Sequence, residues 1–149
     1  MKLCIAPLYS SSSGNSTYVG SEQTGILVDA GLPGKCIEQA LSSVDHSPIR
    51  AILVTHEHTD HIKGVGVLSR KMNIPIYANA ATWAQMESKI GVIAARNVRV
   101  FDRDEFFIGD IGVQPVPIHH DAADPVGFSL YCHGKKIAIV TDTGKITQD

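Results

Sequence analysis

Thr55-His56-Glu57-His58-Thr59-Asp60-His61 puts four residues able to ligate a metal within six consecutive positions, straight after the apolar run 51–54. Imidazole nitrogens and carboxylate oxygens suit zinc and similar borderline cations. In an extended segment side chains alternate, so His56, His58 and Asp60 would point to one side and His61 to the other. Gathering all four requires the chain to bend near Thr59-Asp60, which a loop at the end of a strand can do. Two neighbouring cation sites then follow, His56 and His58 serving the first and Asp60 and His61 the second. Glu57, between two ligands, is expected to point away from them as loop support rather than act as a general base. A polar surface loop rich in histidine is the bland alternative. It does not explain why the ligand-type residues follow directly on a buried strand.

The flanking sequence alternates short β-branched runs with helical patterns. Strands are expected at 2–8, 16–20 and 25–29, with 10–16 (Ser-Ser-Ser-Ser-Gly-Asn-Ser) a loop on composition and 22–25 a hairpin turn. Ile37, Ala40, Leu41 and Val44 make one apolar stripe on a helix opened by Pro33. Ile62, Val65, Leu68 and Met72 mark a second helix, weakened in its first turn by Gly64 and Gly66. A strand at 74–78 leads to a third helix through Trp83, Met86 and Ile90, capped by Asn79. Strands then follow at 98–101, 105–108, 111–117, 128–133 and 136–140, the last two joined at His133-Gly134-Lys135. The mixture suggests a β-sheet layer with helices on one side, in a single domain without repeats or linkers.

Bulk properties narrow the classes. A chain of 149 residues can bury a core, and 44% apolar against 19% charged residues carries no disorder signature. A net charge of -2 gives no basic surface for polyanions, although bound cations can reverse the local field. The three isolated cysteines, Cys4, Cys36 and Cys132, form neither a disulfide framework nor a CxxC knuckle. Cys4 and Cys132 are expected to pack within strands, and His46 and His133 to lie on the surface. No secretion signal or membrane-length apolar run is present, so a cytoplasmic location is expected.

The stretch 55–61 resembles the signature of the metallo-β-lactamase superfamily. Further positions agree in order. Asp29, ending Ile26-Leu27-Val28, is similar to the aspartate that orients the metal loop from behind. His120, after Val116-Pro117-Ile118, is similar to the third histidine of the first metal, and is favoured over its neighbour His119. Asp142, after 137–140, is similar to the carboxylate that bridges both metals. A narrower resemblance joins Ser11-Ser12-Ser13-Gly14-Asn15-Ser16-Thr17-Tyr18, the HEHTDH core, His120-Asp121-Ala122-Ala123-Asp124-Pro125 and Thr141-Asp142-Thr143-Gly144 to the YycJ/WalJ nuclease-like group.

The resemblance implies an α/β fold, the αββα sandwich, with two divalent metal ions at one edge, zinc by default and manganese or iron as alternatives. It implies a metal-dependent hydrolase, a phosphodiesterase or DNA exonuclease acting on nucleic acid. Water held between the metals is the expected nucleophile, with Asp60 and Asp142 orienting it. Asp142 argues against an antibiotic-degrading enzyme, since classical β-lactamases commonly carry cysteine there. A small-molecule phosphodiesterase or thioesterase of the same fold is the alternative. Ser12, Ser13, Gly14 and Asn15 are a candidate phosphate cradle through their backbone N–H groups, with an ordinary turn as the competing reading. Lys63, Arg70 and Lys71 read as a solvated helix face rather than a polyanion guide.

The family's last ligand histidine lies in the second half of its fold, and no histidine follows Asp142. Residues 1–149 are therefore expected to form a metallo-β-lactamase-like domain lacking its C-terminal part, comprising the first half and the start of the second. Such a domain would self-associate or take a partner chain. A truncated metal-binding module with little catalytic activity is a third reading.

Overall fold

The computed structural model describes residues 3–11, 14–118, 123–140 and 145–148. His119, His120, Asp121, Ala122, Asp142, Ser12 and Ser13 lie outside the described residues. Strands β1 (Cys4–Ser11), β2 (Gly14–Gly20), β3 (Gly25–Val28), β4 (Ile49–Leu53), β5 (Ile76–Asn79) and β6 (Val98–Phe101) form one sheet in sequence order. The first three run antiparallel, and β3 to β6 run parallel. Parallel neighbours need crossovers. These are α1 (Gly34–Ser42), then α2 (Thr59–Ile62) with α3 (Val65–Met72), then α4 (Ala80–Ile90). A second, antiparallel sheet has the order β11 (Lys145–Gln148), β10 (Lys135–Val140), β9 (Val126–Cys132), β8 (Ile111–Pro117), β7 (Phe106–Ile108).

Strand alternation builds two cores on the two faces of the first sheet. Ile26, Val28, Ala51 and Leu53 face the second sheet and meet Ile111, Val113, Phe128, Leu130, Ile137 and Ile139. Leu27, Ile52, Val54 and Ile76 face the other way and meet Ile37, Leu41, Ile62, Leu68, Trp83 and Met86 of the helices. The described helices thus all pack on the first sheet. Helix, sheet, sheet are three of the four layers of the αββα sandwich that the resemblance implies.

Three expectations change. The serine-rich stretch is not an open loop over 10–16, because the ladder pairs Ser10 with Asn15 and Ser11 with Gly14; antiparallel pairing overrides composition there. The second helix is two pieces parted at Gly64, whose N–H donates to the Ala30 carbonyl at 2.7 Å. Cys4 is exposed rather than packed. No helix among the described residues is long and apolar enough to cross a membrane.

Candidate metal centre

The HEHTDH segment leaves the carboxyl end of β4, where the parallel strands of such a sheet open a crevice. His58 is extended, and the chain then turns into the short helix α2, with His58 preceding its first residue, Thr59. That is the bend the spacing demanded. It brings the ring of His56 to 4.7 Å from that of His58 and 4.0 Å from that of His61, centroid to centroid. Asp60 Oδ2 lies 3.6 Å from His61 Nε2.

Asp29 holds this loop from behind. It follows β3 in a left-handed backbone conformation, φ 62°, an uncommon state for a residue with a side chain. Its N–H donates to the Leu53 carbonyl at 2.7 Å and its own carbonyl accepts from Ser16 Oγ at 2.8 Å. The carboxylate is fully buried. Oδ1 accepts the Thr55 N–H at 2.8 Å, while Oδ2 accepts Thr55 Oγ1 at 2.7 Å and lies 2.6 Å from His61 Nδ1. These contacts assign the tautomers. His61 donates from Nδ1 to the carboxylate. Thr55 has one hydroxyl hydrogen, committed to Asp29, so its 2.9 Å contact with His56 Nδ1 requires that ring to donate from Nδ1 also. Both rings then carry the lone pair on Nε2, the arrangement by which outer partners orient ligating histidines.

Asn15 approaches from β2. Its amide donates to Asp60 Oδ2 at 3.1 Å and lies 3.3 Å from His61 Nε2. Of the candidate phosphate cradle, Gly14 and Asn15 therefore belong to a strand, and Asn15 turns its side chain to the HEHTDH loop. Glu57, expected to support the loop, accepts the Ala123 N–H on Oε2 at 3.0 Å. The Thr55 carbonyl accepts the Val126 N–H at 3.0 Å. The first bond ties the motif to the segment between β8 and β9, in whose sequence His120 falls, and the second ties it to the start of β9. β10 ends beside the start of β9, and in the sequence Asp142 follows β10. His120 and Asp142 themselves lie outside the described residues.

Two of the basic residues after the motif, Arg70 and Lys71, have structural partners. Arg70 Nη1 donates to the Ile90 carbonyl at 2.8 Å, closing the end of α4, and Lys71 Nζ lies 2.9 Å from Glu38 Oε1. One cluster escapes sequence reading. Among the described residues, Asp110, Cys132 and His133 each bring a ligand-type atom within 4.8 Å of the other two. Asp110 and Cys132 sit in different hairpins, and no spacing motif links them.

Comparison with known proteins gives the family and the fold. The family model described as Metallo-beta-lactamase superfamily matches residues 11–148. Exodeoxyribonuclease YycJ of Bacillus anthracis is 43% identical over 150 residues, covering 99% of this chain and 57% of that protein. Exodeoxyribonuclease WalJ of Streptococcus pneumoniae is 39% identical over 145 residues, covering 94% of this chain and 54% of that protein. The chain therefore spans little more than half the length of these relatives. Among solved structures, a metallo-β-lactamase with a HARLDQ motif from Cronobacter sakazakii superposes with a TM-score of 0.76 at 16% identity, over 91% of this chain and 55% of that one. Zn(2+)-bound PqqB from Methylobacterium extorquens superposes with a TM-score of 0.69 at 18% identity, over 90% of this chain and 63% of that one. At such identities these two likenesses speak for the fold, and together with the family match from residue 11 to residue 148 they establish that the chain belongs to the metallo-β-lactamase superfamily.

Proposed function

We propose that the HEHTDH loop is the metal-binding half of a phosphodiester-hydrolysing centre that acts on DNA. The observation that supports it is the hydrogen-bond set Asp29–Thr55–His56–His61, which engages Nδ1 of two buried imidazoles and so assigns Nε2 as their ligating atom. The donor set fits borderline divalent cations: imidazole from His56, His58 and His61, and carboxylate from Asp60. His56, His58 and His120 would hold one ion, and Asp60, His61 and Asp142 the other. When bound, the ions would polarise a phosphoryl oxygen and make water a nucleophile at neutral pH.

The chain's own residues do the positioning. Asp29 fixes the ring of His61 and, through Thr55, that of His56. Asn15 turns the Asp60 carboxylate toward His61 and holds it there. Glu57 keeps the segment carrying His120 against the loop through Ala123. The likeness to exodeoxyribonucleases over nearly the whole of this chain favours DNA as the substrate class.

The test uses end-labelled linear DNA, single- and double-stranded, with zinc or manganese and with a chelator as control. Stepwise metal-dependent release of nucleotides, abolished in Asp60→Asn, is the expected result. Turnover of a thioester or a cyclic nucleotide with no cleavage of DNA would transfer the proposal to small-molecule hydrolysis. Metal binding without turnover of any of these substrates would leave a binding module instead of an enzyme.

A further inference from the structure

The ends of β8 and β9 away from the HEHTDH loop carry a second set of ligand-type atoms. Cys132 and His133 are adjacent, and in a regular strand their side chains would face opposite ways. The hairpin turn changes that. His133 has φ 49° and Gly134 φ 82°, both left-handed, as a two-residue turn between right-twisted strands requires. The reversal brings His133 Nε2 to 3.8 Å from Asp110 Oδ2 in the turn between β7 and β8. Cys132 Sγ lies 3.6 Å from the same oxygen. A tetrahedral zinc with bonds of about 2.0–2.3 Å separates its ligands by about 3.3–3.8 Å. Two sides of the triangle match that spacing, and the third is no longer than 4.8 Å. The His133 side chain, 48% exposed, is free of packing that would stop it closing the remainder.

The carboxylate is already oriented. Ser21 Oγ, in the turn between β2 and β3, donates to Asp110 Oδ1 at 2.7 Å, which leaves Oδ2 toward Cys132 and His133. Burial alone would raise the Asp110 carboxyl, but hydrogen bonds from Ser21, Thr24, its own amide and Cys132 hold it below the ordinary 3.8. Burial, reinforced by that carboxylate, pushes the Cys132 thiol up, so without a cation it donates its hydrogen to Asp110.

We propose that Asp110, Cys132 and His133 form a cation site of their own, at the opposite end of the sandwich from the HEHTDH loop, for zinc or a similarly thiophilic divalent ion. One sulfur, one nitrogen and one oxygen ligand are a donor set zinc accepts, with water completing the tetrahedron. On binding, the Sγ–H bond breaks, its proton passes to solvent and an Sγ–metal bond forms, with no change of oxidation state. The ion would clamp the β7–β8 turn to the β9–β10 turn. Through Ser21 it would also fasten both to the first sheet.

Cobalt(II) titration of the chain distinguishes this site from the HEHTDH loop, which offers only nitrogen and oxygen. A thiolate-to-cobalt charge-transfer band in the near ultraviolet, saturating at one ion per chain, is expected. It should persist in the Cys4→Ser, Cys36→Ser double variant and vanish in Cys132→Ser. Because Cys132 is buried, His133→Ala provides a second, surface substitution. Outer partners of a ligand alone are worth about 10–100-fold in affinity, so losing His133 should weaken cobalt binding at this band roughly tenfold or more. No such band in the unaltered chain, a band surviving Cys132→Ser, or unchanged affinity in His133→Ala would each overturn the proposal. None of these outcomes depends on whether the HEHTDH loop cleaves DNA.

Discussion

Asp29 accepts hydrogen bonds from the Thr55 backbone, the Thr55 hydroxyl and the His61 ring while fully buried. Asparagine tolerates the same left-handed backbone, so Asp29→Asn isolates the carboxylate's contribution. One oxygen becomes an NH₂ facing a donor, and a buried donor left unsatisfied costs about 1–3 kcal/mol. The expected outcome is a loss of stability of that order in urea melts. Zinc affinity at the HEHTDH loop should also fall roughly 10–100-fold, measured by chelator competition in a Cys132→Ser background. Unchanged affinity would remove Asp29 as a positioning residue. Asp29 was legible in the sequence only through the family resemblance, as the residue that ends the apolar run 26–28. Its partner Thr55 and the tautomers it imposes required coordinates, since hydrogen bonding between residues 26 positions apart follows from strand register.

The elements around the site meet backbone to backbone. Gly31 N–H donates to the Asn15 carbonyl at 2.9 Å, and Ala30 N–H to that of His61 at 2.9 Å. A Cβ on Gly31 would collide with the Asp60 carbonyl, so the 29–32 loop and the start of α2 can approach this closely only with glycine between them. Gly31→Ala must push the start of α2 away from the 29–32 loop. We expect a stability loss of about 1–3 kcal/mol, typical of overpacking, with weakened metal binding through displaced Asp60 and His61. A wild-type melt and wild-type zinc affinity in Gly31→Ala would show that the contact is dispensable. Most helices and strands were readable from periodicity. The exceptions have physical causes: the ladder between β1 and β2 recruits serines whose composition favours turns, and the approach of Ala30 to Gly64 splits a periodic helix in two.

For the whole molecule, the last strand of each sheet carries exposed apolar side chains. Val100 on β6 and Phe107 on β7 are each 60% exposed, and Phe107 meets Tyr131 edge-on at 6.1 Å. Exposed strand edges with apolar side chains invite pairing with another chain. Sedimentation velocity at micromolar concentration is expected to show species heavier than one chain, shifted to the monomer by Val100→Lys with Phe107→Lys. A strictly monomeric unaltered chain would contradict this.

What the sequence by itself determined is the metal-ligating character of 55–61, the helix and strand periodicities and, through the order of Asp29, the HEHTDH motif and the later strands, the superfamily. Those features are local, set by residue type and spacing along a few turns of chain. What only the tertiary structure decided is how Asp29 engages the motif, which further side chains join it, and where a further ligand cluster arises. Asn15, Asp29 and Thr55 converge because strands β2, β3 and β4 are neighbours in one sheet. Asp110 meets Cys132 and His133 because antiparallel pairing of β8 with β9 places two distant turns at the same end of the sandwich.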